Sequence, residues 1–194
     1  MFRLFGITSE KPYIEINDSR TYYFYDPPHL LKSLRNNLLK HDLSVGEKPV
    51  KWQYIADFFQ TDHSQTVKLA PKLTRRHIDL PPFANMRVRL AAQVLSHSVA
   101  AEIYTHVALG GMPSEAVHTA EFLDRVDSLF DCYNSGSFGT TKLLRKPLTA
   151  RGKQWDFLKE CKELLAFIKG CKQQDDTALR SGFHNEYNFF DRSV

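Results

Sequence analysis

Apolar positions fall into two regimes along this chain. Near the N-terminus they come close to alternating: Tyr13-Ile14-Glu15-Ile16 reads as a short strand, Asn17-Asp18-Ser19 as a turn, and Arg20 to Tyr25 as a returning strand. Tyr22-Tyr23-Phe24-Tyr25 has no polar member, the pattern of a strand buried on both faces. Asp26 ends it. Pro27 and Pro28 forbid further pairing and suit the first turn of a helix, with Asp26 as its N-cap. Leu30, Leu31, Leu34, Leu38 and Leu39 then recur at helical spacing, with Lys32, Arg35 and Asn36 off that stripe.

Helical periodicity dominates the remainder of the chain. Asp42 to Pro49 is polar and turn-rich and reads as a boundary, after which Trp52, Ile55, Phe58 and Phe59 mark a helix that ends or is replaced near Thr61-Asp62-His63-Ser64. Ala84 to Leu109 carries apolar residues over most of its circumference, which predicts one long central helix ended by Gly110-Gly111. Ser114 suits the cap of the next, whose apolar residues keep the period from Val117 to Tyr133. Ser135 to Lys153 reads as a loop, Gln154 to Lys169 as the last helix, and Phe183 to Phe190 as a short strand returning toward the hairpin. A lone hairpin is at best marginally stable, so the first strands are expected to need neighbours from a larger fold.

Composition narrows the class only modestly. The 194 residues, 42% hydrophobic and 25% charged, suit an ordinary globular protein, and the net charge of +4 permits a polyanionic partner without demanding one. Three cysteines without CxxC spacing point to a reducing compartment. No apolar run is long enough for a membrane helix, and the N-terminus lacks the apolar region and cleavage site of a signal peptide. There is no Gly-x-x-x-x-Gly-Lys-Ser/Thr loop, which excludes a P-loop nucleotide site, and no spacing of His and Cys that suits zinc.

Three groups of residues carry candidate chemistry. Asp26 and His29 stand together at the carboxyl end of a predicted strand, where α/β sheets place ligands; a helix cap joining two core elements accounts for them equally well. Asp124, Asp127 and Asp131 lie on one side of their helix, either as a solvated face or as a row that receives a cationic or donor-rich partner. Lys142, Arg145, Lys146, Arg151 and Lys153 put five positive charges into twelve residues with no acid among them, a solubilising loop or a contact for phosphate backbone.

The stretch Asp26-Pro27-Pro28-His29-Leu30-Leu31-Lys32-Ser33-Leu34-Arg35-Asn36-Asn37 resembles the DPPHLLKSLRNN signature of P-element-type DNA transposases. Asn85 to Ser96 is similar to the KMKVxLAAQVLS helix of that family, Thr119 to Ser135 to its TAxFxxxxDxLFDxxNS helix, and Lys146-Pro147-Leu148 to its RPL turn. The resemblance covers nearly the whole chain. It implies a mainly α fold: a helical GTP-binding insertion domain attached to a β-hairpin fragment of an RNase H-like α/β core. The expected organisation is 1–45 for the partial RNase H-like segment, 46–170 for the insertion domain and 171–194 for the return toward the core.

By that resemblance the nucleotide contacts fall on Lys72, Arg87, Val88, Ser96, Phe130, Asp131 and Asn134. Arg87 stands where the family usually has Lys, so a planar fork replaces a point charge. The family uses GTP, which Mg2+ can accompany, as a structural cofactor for docking transposon DNA in the nucleus. Lys142, Arg145 and Lys146 are the candidates for contact with DNA. RNase H-like transposases need three carboxylates to hold two metal ions. None of the three is matched here, so the chain alone is expected not to cut DNA. The alternative expectation is a non-catalytic helical module that binds DNA or protein after losing its nucleotide site.

Overall fold

Asn17 and Asp18 both adopt positive φ, 49° and 59°, the geometry a two-residue hairpin turn requires. They join β1 (Tyr13–Ile16) to β2 (Ser19–Tyr22), paired antiparallel with Tyr13 opposite Tyr22. Arg20 lies over the Tyr13 ring, 4.8 Å from its centroid. The strand is not buried on both faces: Tyr22 is half exposed and every residue of β2 is exposed. The computed structural model describes Thr8 and residues 11–23, 26–66, 68–149, 152–166 and 168–171; Phe24, Tyr25 and the 183–190 segment lie outside them. The chain divides into two compact units, the hairpin belonging to the first and Pro27–Gln173 forming the second.

The second unit is mainly helical and opens with α1 (Pro27–Lys40), which starts at the paired prolines. Its inward stripe holds Leu31 and Leu38, and also Arg35, which the leucine spacing had placed outside. Arg35 is fully buried: Nη2 donates to the carbonyl of Asn85 at 3.0 Å and Nε to Asn36 Oδ1, while burial lowers its pKa. Asn36 Nδ2 donates to the same carbonyl at 3.3 Å, so two neighbouring side chains tie α1 to the turn before α4 (Val88–Val94).

The polar stretch after α1 folds into a hairpin. β3 (Asp42–Val45) and β4 (Lys48–Val50) pair around Gly46, whose φ of 62° suits glycine, and bury Leu43 and Val50. A third strand, β5 (Ile168–Cys171), pairs antiparallel with β3 and puts Asp42 opposite Cys171. The last helix therefore stops at Ala166 and the chain changes period before Lys169. Residues 27–45, grouped by sequence with the first hairpin, pack with the larger unit.

Helices build most of the core. α2 (Trp52–Ser64) buries Ile55 and Phe58, and α3 (Arg75–Ile78) is a single turn. The expected long central helix is broken into a 3-10 turn at Ala84–Met86, α4 and α5 (His97–Ala108). Ser96 causes the break: its backbone is extended, its Oγ donates to the Gln93 carbonyl at 3.0 Å, and it accepts the Val99 N–H that α5 would otherwise leave unpaired. Met86 is two-thirds exposed, so the apolar run is not enclosed on all sides. At its other end α5 closes with Gly110 at φ 74° and the Gly111 N–H on the His106 carbonyl at 2.8 Å.

α6 (Ala116–Tyr133) lies along α5 and buries Ala116, Ala120, Phe122, Leu123 and Val126. A turn begins it, with the Val117 N–H on the Ser114 carbonyl, and no side-chain cap from Ser114 is present. A short 3-10 turn at Leu143–Arg145 leads to α7 (Gln154–Ala166). No helix among the described residues is long and apolar enough to cross a membrane.

Candidate functional site

Each carboxylate of the acidic row on α6 has a partner on another part of the chain. Asp124 meets the ring of His97, the first residue of α5, at 2.5 Å. Lys142 Nζ donates to Asp131 Oδ2 at 2.6 Å and lies 3.8 Å from Asp127, while Arg145 Nε is 3.1 Å from Asp131 Oδ1. The row and the basic loop, two separate candidates in the sequence, are thus one cluster. The Asp131 carboxylate is mostly buried, 12% exposed, whereas the Lys142 and Arg145 side chains are about half exposed at 54% and 48%.

Two physical effects compete at Asp127. Burial raises its pKa and the neighbouring Asp131 charge raises it further, while Lys142 and the backbone N–H of His97 pull it down. Burial is the largest, so the carboxyl is held above its ordinary value. Such a group contributes stability fully below its unfolded pKa and loses it as pH rises through the raised folded value. Asp127→Asn is therefore expected to be at least as stable as the wild type at neutral pH, with the gap closing as pH falls toward about 4. Urea denaturation across that range checks this, and a variant less stable at neutral pH would show that the Lys142 contact outweighs burial.

Lys142 is itself raised, by its hydrogen bond to Asp131 above all. Its loop is tied back by Gln154, a buried side chain at the start of α7 whose Nε2 donates to the carbonyls of Leu143 at 3.2 Å and Lys146 at 3.4 Å. Asn134 ends α6 with its N–H on the Phe130 carbonyl, and its side chain is exposed; Phe130 is half-buried.

The other candidates sit around α4. Arg87 is exposed at its N-cap and Val88 is its first residue, so both stand at the end of α4 opposite Ser96. Seven helical residues separate those ends by about 10 Å. Lys72 is exposed in the loop between α2 and α3. That loop is fixed at both sides by groups the sequence did not mark. Asp62 of α2, buried, accepts the N–H groups of Leu69 at 2.7 Å and Ala70 at 3.4 Å. His77, also buried, accepts the Thr74 N–H on Nδ1 at 3.0 Å, so its Nε2 carries the proton donated to Gln93 Oε1 at 3.0 Å. Gln93 is also the residue whose carbonyl receives Ser96 Oγ, so α3, which follows the Lys72 loop, meets α4 within a turn of Ser96.

Asp26 and His29 stand at the start of α1 and are both exposed. Among the described residues, no group of three His, Cys, Asp or Glu side chains is placed to hold a metal ion. Cys132 and Cys161 are buried free thiols, and burial pushes Cys161 up to about 11.

The chain is similar to known proteins in sequence and in fold. Residues 28–147, more than half of the chain, match the family described as TNP-like, GTP-binding insertion domain. The chain belongs to that family, and its sequence and fold are similar to those of P-element transposases. It is 28% identical over 116 residues to the Transposable element P transposase of Drosophila melanogaster, which covers 60% of this chain and 15% of that protein. Its fold matches the structure titled Drosophila P element transposase strand transfer complex with a TM-score of 0.78 at 23% identity, over 93% of this chain and 42% of the other. The chain thus spans less than half the length of each of these relatives.

Proposed function

We propose that this chain binds a guanine nucleotide at the C-terminal half of α6, as the GTP-binding insertion of a P-element-type transposase. The observation that carries this reading is the Asp131 carboxylate: mostly buried, fixed at a helix end, and with each oxygen engaged by a donor. Guanine presents two adjacent donors, N1–H and the exocyclic amine, which one carboxylate can accept together. Adenine offers no such pair. The residues expected from the family would supply the rest: Phe130 next to Asp131 has a ring for the base, and Lys72 and Arg87 are exposed cations for phosphates. Ser96, Val88 and Asn134 complete the set expected from the family. GTP, with or without Mg2+, would serve here as a structural cofactor for docking transposon DNA in the nucleus. The β1–β2 hairpin would be an edge of an RNase H-like core.

A second reading is favoured by one specific observation. Lys142 and Arg145 already satisfy both oxygens of Asp131, as in a helical DNA- or protein-binding module whose nucleotide site is closed for good. Calorimetric titration separates the two. The first reading expects GTP and GDP to bind with ATP excluded, because a buried acceptor pair is left unsatisfied by adenine. Equal affinity for ATP and GTP would refute it, and no binding of either supports the second.

A further inference from the structure

Arg35 is a buried cation without a counter-ion. It is 0% exposed, and among the described residues no carboxylate pairs with it. Nε donates to Asn36 Oδ1 at 2.8 Å and Nη2 to the Asn85 carbonyl at 3.0 Å, while Nη1 is buried with no partner. Taking a charge out of water is costly unless it is paired, and an apolar side chain would fill the inner stripe of α1 at less cost. Packing therefore does not account for an arginine at this position.

The group that Arg35 holds does account for it. Asn85 lies in the 3-10 turn Ala84–Met86, and Asn36 Nδ2 donates to the same carbonyl at 3.3 Å, so two side chains of α1 converge on one oxygen. The turn has little apolar anchorage of its own: Ala84 is buried, but Phe83 is 82% and Met86 67% exposed. Phe83 stands at φ 63°, a left-handed backbone that a bulky residue keeps only where its surroundings impose it. Arg87 follows the turn directly, with its N–H on the Ala84 carbonyl at 3.1 Å and its backbone extended at the N-cap of α4. Only Met86 separates the clamped carbonyl from Arg87.

We propose that Arg35 and Asn36 are positioning residues for the nucleotide phosphates. They fix the turn that aims Arg87, and the unpaired charge of Arg35 adds positive potential behind it, where burial keeps salt from screening it. This rests on the assignment of Arg87 to phosphate under the proposed function, and it gives α1 a part in that site.

Calorimetry of the full chain with GTP and with guanosine reads the phosphate contribution as the ratio of the two affinities. Asn36→Asp keeps the bond from Arg35 Nε, supplies the missing counter-ion, and sets an oxygen against the Asn85 carbonyl where Nδ2 donated. Its GTP-to-guanosine ratio is expected to fall about tenfold, with guanosine affinity unchanged. Arg87→Ala is expected to lower the ratio by a similar factor, and Asn36→Asp in that background to lower it no further, since residues that act through one another are not additive. Arg35→Lys, which keeps the charge but not the fork, is expected to lose about threefold. Circular dichroism checks that each variant folds, and the half-buried Asn36 decides alone if Arg35→Lys does not. An unchanged ratio in Asn36→Asp, equal losses for GTP and guanosine, or losses that add in the double variant overturn the positioning role and leave the base site standing. A wild type that binds guanosine as tightly as GTP does the same, and one that binds neither overturns the proposed function as well.

Discussion

With Asp131 reading guanine as proposed, Asp131→Asn is expected to move the base preference from guanine to xanthine. The carboxylate accepts two hydrogen bonds on one edge; an asparagine amide accepts one and donates one. Guanine would bring its exocyclic amine against the amide NH2, leaving two donors face to face in a mostly buried position. Xanthine carries a carbonyl where guanine carries that amine, and so restores the match. Leaving such groups unpaired costs about 100-fold or more in affinity, since sites built on hydrogen bonds discriminate far more strongly than apolar ones. Calorimetry of both proteins with GTP and XTP reads the switch directly. A variant that keeps its preference for GTP removes Asp131 from base recognition.

Truncating Phe58 should have the largest effect on stability. This ring is fully buried on α2 and meets the ring of His106, on α5, edge-on at 5.4 Å between centroids. Phe58→Ala removes the apolar contact and leaves a cavity between the two helices, a loss of about 3–5 kcal/mol. A domain of this kind has about 5–15 kcal/mol in total, so the variant should sit close to its unfolding threshold. Phe58→Leu keeps most of the volume and is expected to lose far less. The midpoint of urea denaturation distinguishes them, and a drop under about 1 kcal/mol for Phe58→Ala would place Phe58 outside the cooperative core.

What the sequence disclosed depends on the range of the interactions involved. Local signals held: Asn17-Asp18 as a turn, Pro27-Pro28 as a helix start, Gly110 as a helix stop, and the apolar spacing of α2 and α6. Non-local ones did not. β3, β4 and β5 are three or four residues each, too short for alternation to show, and β5 finds its partner more than a hundred residues earlier. Ser96 breaks an otherwise continuous apolar run through a hydroxyl that pairs with its own backbone neighbours, a choice that hydrophobic period cannot register. Arg35 looked like surface because charge usually is; the carbonyl that receives it lies fifty residues away.

The candidate site divides the same way. Resemblance supplied the residue types, and the structure puts Asp131, Lys142 and Arg145 in contact and α3, which follows the Lys72 loop, beside Gln93 of α4. Arg87 and Val88 stand at the far end of α4 from that group. His97, Asp62 and His77 carried no signal in the sequence because each acts through a partner on another element or in a loop.

The pairing of β3 with β5 bears on how such a unit can be carried. Asp42 lies across one ladder from Cys171, so the segment from β3 to β5, which follows α1 within the larger unit, begins and ends on strands about 5 Å apart. A body with adjoining ends can be spliced into a surface loop of a host as a cassette, widening the host's own strand spacing hardly at all, and can later be trimmed out with a short linker. Helices inside it are then free to diverge under their own constraints, while the host sees only a neighbouring pair of strands.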